Sequence, residues 1–302
     1  MAEQSHDVRE PVVAGRFYQH DARLCEDEAA RMCLARPSRT PDLPGRLVGA
    51  VVPHAGWICS GRVCGMAIKA LARRTAARTF IMTGSIHTVH IDHPAMDTHD
   101  AWRTPLGRVE VDVALRDAVA DLDDFERMPE AHVREHCLEV VLPFMQVCFE
   151  EPIRIVPCLI PPVPRAAEWG ERIGRLAADW SEPVGMISSV DLTHYGPNYG
   201  FTQHGLGESG RRWAHDVNDR RLLDMVESME ADEIVAEAVA NHNTCGDRVD
   251  YGSGDRPQTP RGYRADEQEG RGVDFCGQVT GQAGGRRFAG RRVGVSRLWP
   301  GY

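Results

Sequence analysis

Three short stretches of the sequence each place a histidine just beyond an apolar run. Val51-Val52-Pro53-His54-Ala55-Gly56 ends the first, Gly84-Ser85-Ile86-His87 the second, and Ser188-Ser189-Val190-Asp191-Leu192-Thr193-His194 a later one. In open α/β sheets, ligands bind in the crevice outside the carboxyl ends of the strands. Imidazoles delivered to that edge by three separate strands therefore converge. Asn241-His242-Asn243-Thr244-Cys245-Gly246 adds a thiol beside a glycine, where the backbone turns freely and leaves the sulfur accessible. Two neutral imidazoles and one thiolate make a three-ligand metal site with one position open to water or substrate. Such donors suit Fe(II), Zn(II) or copper better than Mg(II) or Ca(II). His194, with Asp191 close before it, then serves as acid and base, because a carboxylate bonded to an imidazole fixes its tautomer and raises its basicity.

Other histidines carry weaker signals. In Arg134-Glu135-His136-Cys137-Leu138-Glu139, His136 and Glu139 are spaced to share one helix face. The same pattern fits a helix start with acidic residues near its positive end. His136 and Glu139 are expected at most to support ligands, not to contact the metal. His90, His93 and His99 match neither a helix face nor a hairpin and read as a solvated loop. Trp102 to Gly107 reads as a turn ending an extended segment.

The elements that must position these groups alternate along the chain. Short apolar runs at 47–52, 79–82, 153–159 and 184–187 have the uninterrupted character of strands buried on both faces. Helical spacing occupies 59–73, 112–121, 136–149, 166–179, 207–228 and 232–241. This alternation predicts an α/β fold, layered α/β/α, with a largely parallel or mixed central sheet and no internal repeat.

Composition narrows the chemistry. The 302 residues carry 35 basic and 44 acidic side chains, a net charge of −9, and all the basic residues but Lys69 are Arg. No phosphate loop precedes Lys69, so Walker-type nucleotide binding is excluded, and any Schiff base would have to use that one residue. Its helical surroundings read Lys69 as a surface residue. The acidic balance argues against a nucleic-acid partner. No run reaches the ~18 apolar residues of a membrane span, and the polar N-terminus is not a signal peptide. Nine scattered cysteines without a Cys-x-x-Cys pair fit free thiols in a reducing cytoplasm.

Residues 1–246 form the expected domain. From 247 to 302 the composition changes abruptly, to 12 Gly, 10 Arg and six large aliphatics. Such a segment buries too little apolar surface to offset its chain entropy and reads as a disordered tail. Without it the chain holds 25 basic against 37 acidic residues, so the domain alone is more acidic than −9 indicates.

Taken in order, the motifs resemble the Memo family, the protein-B component of the prokaryotic AmmeMemoRadiSam system. The resemblance rests on Arg9-Glu10-Pro11 with Val13 to Tyr18, Pro53 to Trp57, Gly84 to His87, Trp102 to Gly107, Glu135 to Glu139 with Leu142-Pro143-Phe144, Asp191 to His194, and Asn243 to Gly246. It implies a fold like that of class III non-haem iron extradiol dioxygenases. It also implies a metal site of His54, His87 and Cys245 with Asp191 and His194 beside it, and Fe(II) as first choice, copper or zinc otherwise. Cys137 stands where the family usually has Ser. Family members continue after Asn-Thr-Cys-Gly with an Ala-rich helix and strands, which 247–302 does not resemble, so a reading frame shifted just after Gly246 is the expected cause.

Three functions follow from these readings. One is a metal-dependent oxidoreductase acting on dioxygen and a small phenolic or related substrate. Another is a metallohydrolase using metal-bound water. The third is a non-enzymatic metal- or peptide-binding module, with the radical-enzyme and companion proteins implied by the resemblance as partners.

Overall fold

The computed structural model describes residues 7–35 and 45–245. The Gly- and Arg-rich tail, and with it the shifted frame, lies outside the described residues. Strands are β1 (Val8–Arg9), β2 (Gly49–Val52), β3 (Thr79–Gly84), β4 (Ala95–Met96), β5 (Ala101–Thr104), β6 (Gly107–Val111), β7 (Glu126–Arg127), β8 (Arg154–Leu159) and β9 (Val184–Ser189). They form one sheet in the order β1-β5-β6-β8-β3-β9-β2, with β4 beside the end of β8 and β7 beside β4. All pairs are parallel except β5 with β6 and β4 with β8. The four predicted apolar runs are therefore consecutive parallel neighbours in a mixed sheet, with β2 at its edge.

Alternation along these strands feeds two cores. Phe80, Met82, Ile155, Leu159 and Ile187 face one cluster; Ile81, Val156, Cys158 and Met186 face the other. The first is closed by α1 (Ala22–Cys33), α2 (Trp57–Ala72) and α5 (Leu142–Cys148). The second is closed by Leu115 and Val119 of α3 (Val113–Ala120) and Trp169 and Ile173 of α6 (Ala166–Asp179). Burial on both faces is why these strands read as unbroken apolar runs. The expected α/β/α layering is present. Among the described residues, no helix is long and apolar enough to cross a membrane.

Two predicted helices are interrupted. The run 136–149 begins helical structure only at a 3-10 turn, Glu139–Val141, followed by α5. Pro143 lacks an N–H and would clash with the carbonyl four residues back, so it is tolerated only in a first turn. His136 consequently lies on a turn, and it shares no helix face with Glu139. After the short helix α4 (Pro129–His132), the run 207–228 divides into α7 (Glu208–Trp213), a π-helical segment Ala214–Asp219 and α8 (Arg220–Ser228), with α9 (Ala231–Asn241) following. The turn read at Trp102–Gly107 is a hairpin between β5 and β6.

Glu139 instead anchors the N-terminal segment. Fully buried, it accepts the amides of Val12 and Val13, the Tyr18 hydroxyl at 2.8 Å and the Arg9 guanidinium at 2.9 Å. Burial and the adjacent carboxylate push the Tyr18 phenol far up, which keeps it a donor. Arg9 also donates to the His132 and Glu135 carbonyls and lies 4.0 Å over the Trp102 ring. Removing one member of a buried ion pair strands the other without a counter-charge. Arg9→Ala is expected to lower stability by about 3–5 kcal/mol in urea denaturation, far beyond a surface Arg substitution. A loss below about 1 kcal/mol would show that Glu139 is adequately solvated by its amides alone.

Candidate metal centre

The site begins where β3, β9 and β2 end level with one another. Ser189 of the central strand pairs with both Gly84 and Val52. Neighbouring strands lie about 4.8 Å apart, so the residues just beyond this line share one small space. His54 and Asp191 stand at equal distance past it, and His87 one residue further. Asp191 Oδ1 accepts the His54 and Ala55 amides at 2.6 and 3.1 Å, fastening the β2 loop to the β9 loop. Burial alone would raise this carboxyl, but His54 and the amide donors outweigh it and hold it below its usual range.

Both central imidazoles have a defined tautomer. Ser189 Oγ donates to the Cys137 carbonyl at 2.6 Å, so at 3.0 Å it accepts from His54 Nδ1. His87 Nδ1 meets Glu135 Oε1 at 2.9 Å, and a carboxylate only accepts. Each ring is thus bonded through Nδ1 and presents Nε2 to the site, the arrangement that orients metal-binding histidines. Glu135 also accepts the amides of His87, His136 and Cys137. Burial opposes its charge, yet bonding to His136 and His87 keeps the carboxyl far below the usual range. For His87, burial pulls the pKa down, but bonds to the Cys245 sulfur and to Glu135 prevail and lift it to about 9.

Cys245 completes the approach. Its sulfur lies 3.4 Å from His54 Nε2, accepts the Asp191 amide at 3.2 Å and sits 3.5 Å from Ser85 Oγ. A bridge between Leu192 and Thr244 and the bond from Cys245 N to the Asp191 carbonyl hold this segment against the β9 loop. The four residues His54, His87, Cys245 and Asp191 expected from the sequence are therefore brought together.

His136 joins them, against expectation. Its ligand nitrogen lies within 4.8 Å of those of His54 and His87, and its ring centroid is 5.6 and 4.8 Å from theirs. Its amide is held by Glu135 Oε1 at 2.8 Å, and the edge contact with Phe17 supports the ring. A second grouping, His87, Glu135 and Cys137, fits a metal poorly. Burial pushes the Cys137 thiol well up, its Sγ–H bonds the Ser85 carbonyl, and Glu135 is already occupied. His99, expected in a solvated loop, is instead bonded to buried Asp97 at 2.6 Å; His90 is exposed beside Asp92 as expected.

His194 lies at the edge. Its Nε2 is 3.9 Å from Asp191 Oδ2, the same distance as His54 Nε2, so it is an ion-pair neighbour of Asp191 and not its hydrogen-bonded partner. Asp191 is committed first to the loop amides. His194 packs on Tyr199 and, with Asp191 and Cys245, lines a cavity of about 740 Å³ whose remaining wall is mostly apolar, including Leu222, Leu223, Val226 and Ile234. The π-helical segment turns two successive residues toward this loop. Asp219 accepts the Thr193 amide and Asn218 donates to Thr193 Oγ1 and the Asn241 carbonyl, while Asn243 donates to the Asn218 carbonyl. These bonds tie the His194 loop to the Cys245 segment. Sequence reading missed Glu135, Ser189, Asn218 and Asp219; Glu beside His136, doubled Ser at a strand end and paired Asn-Asp inside an amphipathic helix were the available signals.

The model of the Memo-like protein family matches residues 9–250. A MEMO1 family protein of Methanopyrus kandleri is 36% identical over 202 residues, 63% of this chain and 70% of the relative. Another, from Pyrococcus furiosus, is 32% identical over 254 residues, 79% of this chain and 83% of the relative. A third, from Thermococcus kodakarensis, is 32% identical over 258 residues, covering 79% and 84%.

Burial raises the Asp219 carboxyl to about 6 even though bonds to Thr193 oppose the shift. The folded state therefore holds this proton more tightly than the unfolded chain. Its contribution to stability is complete below about pH 4 and is lost as pH rises through 6. Asp219→Asn removes that titration. The stability of the variant relative to the parent is expected to rise by about 2 kcal/mol between pH 4 and pH 7 in denaturant titrations. A flat or falling difference would contradict a buried, proton-retaining carboxyl.

Proposed function

Because the chain belongs to the Memo-like family, we propose that it is a metal-binding oxidoreductase acting on a small substrate through a two-histidine, one-cysteine centre. His54, His87 and Cys245 would hold a divalent metal, Fe(II) in first place and copper or zinc otherwise, with His136 facing the same point. The observation that carries this reading is the pair of Nε2 atoms left available by the Ser189 and Glu135 bonds, one of them 3.4 Å from the Cys245 sulfur. The donor set is soft and imidazole-rich, which fits those metals and not Mg(II) or Ca(II).

Bound iron would supply an open coordination position and one-electron chemistry toward dioxygen. The remaining work falls to the chain. The apolar cavity excludes water and accepts the body of a small phenolic or related molecule. His194, on the cavity wall and near Asp191, is placed to take or return a substrate proton. Asp191 stabilises positive charge on either His54 or His194. Glu135 and Ser189 keep both ligand rings oriented. A thiolate in place of the carboxylate of extradiol enzymes donates more charge and is itself oxidisable, so the substrate need not be one whose ring is opened. We assign the activity to the cytoplasm, with the proteins of a radical-enzyme system as candidate partners.

Anaerobic purification followed by metal analysis tests this reading. Stoichiometric iron or copper supports it; stoichiometric zinc together with hydrolytic turnover supports the metallohydrolase instead. Iron-loaded protein that takes up no oxygen with a panel of catechols and related phenols would sink the dioxygenase-like form of the reading. His54→Ala, His87→Ala and Cys245→Ser are each expected to lose the metal, and Ser189→Ala to weaken it by about 10–100-fold. His194→Ala should retain metal and lose turnover. Loss of metal in that variant would reassign His194 as a ligand.

A further inference from the structure

A second cluster of reactive groups lies in the helical layer formed by α1, α2 and α5, apart from the metal centre. Cys33 is the last residue of α1 and Cys148 the last of α5. Their sulfur atoms are 2.7 Å apart, closer than non-bonded sulfurs pack and a short closure from the bond length of about 2.05 Å. From this juxtaposition we propose that Cys33 and Cys148 form a redox-active dithiol that closes into a disulfide on meeting a hydroperoxide.

The surrounding packing fixes the pair. α1 lies directly on α2, because a Cβ at Gly65 would meet the Cys33 amide nitrogen at 3.0 Å and one at Gly61 would strike the Met32 sulfur. The backbone of Cys33 is thereby held against α2. The last turn of α2 carries Lys69, the chain's single lysine, whose cation acts on both thiols. Hydrogen bonding from Cys33, with Lys69 and Arg73 nearby, holds the Cys148 thiol below its ordinary range. The same bond together with burial pushes Cys33 up. Cys148 is therefore assigned as the attacking sulfur and Cys33 as the resolving one. Lys69 was read from the sequence as a surface residue; it is half-buried, and its charge acts on this pair of thiols.

The step balances without a metal. The Cys148 thiolate attacks one oxygen of the hydroperoxide, the O–O bond breaks, and the departing oxygen leaves as water or alcohol with an added proton. The Cys33 sulfur then attacks the resulting sulfenic sulfur, loses its proton and displaces water, forming the S–S bond. Two thiols are oxidised and one peroxide is reduced. Cys33 and Cys148 are both buried, 6% and 5% exposed, so a small hydroperoxide is the oxidant proposed. In a reducing compartment such a bond is transient and reports oxidant, then reverses with cellular thiols. Closing it joins the ends of α1 and α5, elements 115 residues apart in sequence.

Peptide mapping of the full chain after stoichiometric hydrogen peroxide, with alkylation under non-reducing conditions, tests the proposal. The expected product is a peptide linking Cys33 to Cys148, two hydrogens lighter than its reduced parts and released by dithiothreitol. Lys69→Met should slow its formation severalfold while leaving the fold intact by circular dichroism. Cys33→Ser should leave Cys148 trapped as a dimedone adduct. The idea is overturned if both residues are recovered as free thiols under conditions that oxidise the exposed Cys59, or if Cys148 is linked to Cys64 instead.

Discussion

Everything at the candidate metal centre depends on three adjacent parallel strands ending at the same level. Hydrogen bonding of Val52, Ser189 and Gly84 in one register leaves the next residues no choice but to share a crevice. His54 and Asp191 lie equally far past this line, so the carboxylate of one loop meets the backbone amides of the other. A slip of one residue in β9 would turn Asp191 and Ser189 to the opposite faces and remove both the loop clamp and the His54 anchor. The buried apolar alternation that sends Ile187 into one core and Met186 into the other resists such a slip.

Around that crevice, buried carboxylates act as connectors. Taking a carboxylate out of water is costly, and each one here is compensated by several donors. Glu139 gathers the N-terminal segment and Arg9; Arg9 in turn grips the Glu135 carbonyl; Glu135 grips His87 and the amides of the following turn. Orientation of His87 is thus coupled to the first strand of the chain, distant from it in sequence. The bonds matter less for net stability than for uniqueness, since a misplaced partner would leave a charge buried alone.

The two sides of the site differ in character. One side is a dense set of imidazoles and carboxylates with fixed tautomers; the other is an apolar cavity walled by α8 and α9. The π-helical segment joins them. A π-helical turn is rare and less favourable than an α-helical one, and its last two residues here, Asn218 and Asp219, are both buried. That local cost is offset by bonds to the Thr193 loop and, through Asn243, to the segment bearing Cys245.

Hydrophobic periodicity and the position of polar motifs after apolar runs were enough to read an α/β/α fold, its central strands, and four residues that meet: His54, His87, Asp191 and Cys245. Those features are local in the chain, since strands buried on both faces announce themselves by composition and histidines at strand ends by adjacency. The short strands β1, β4 and β7 escaped notice because two residues carry no periodicity. His136 was set aside because its spacing to Glu139 suggested a helix, and only the folded loop, held by Glu135, places it beside the other imidazoles. Ser189 and Glu135 became ring anchors through contacts spanning 135 and 48 residues. Which nitrogen each imidazole presents, and that a lone lysine faces a pair of thiols, depend on such long-range packing, because a side chain's partners are chosen by the folded neighbourhood and leave no mark on its immediate sequence.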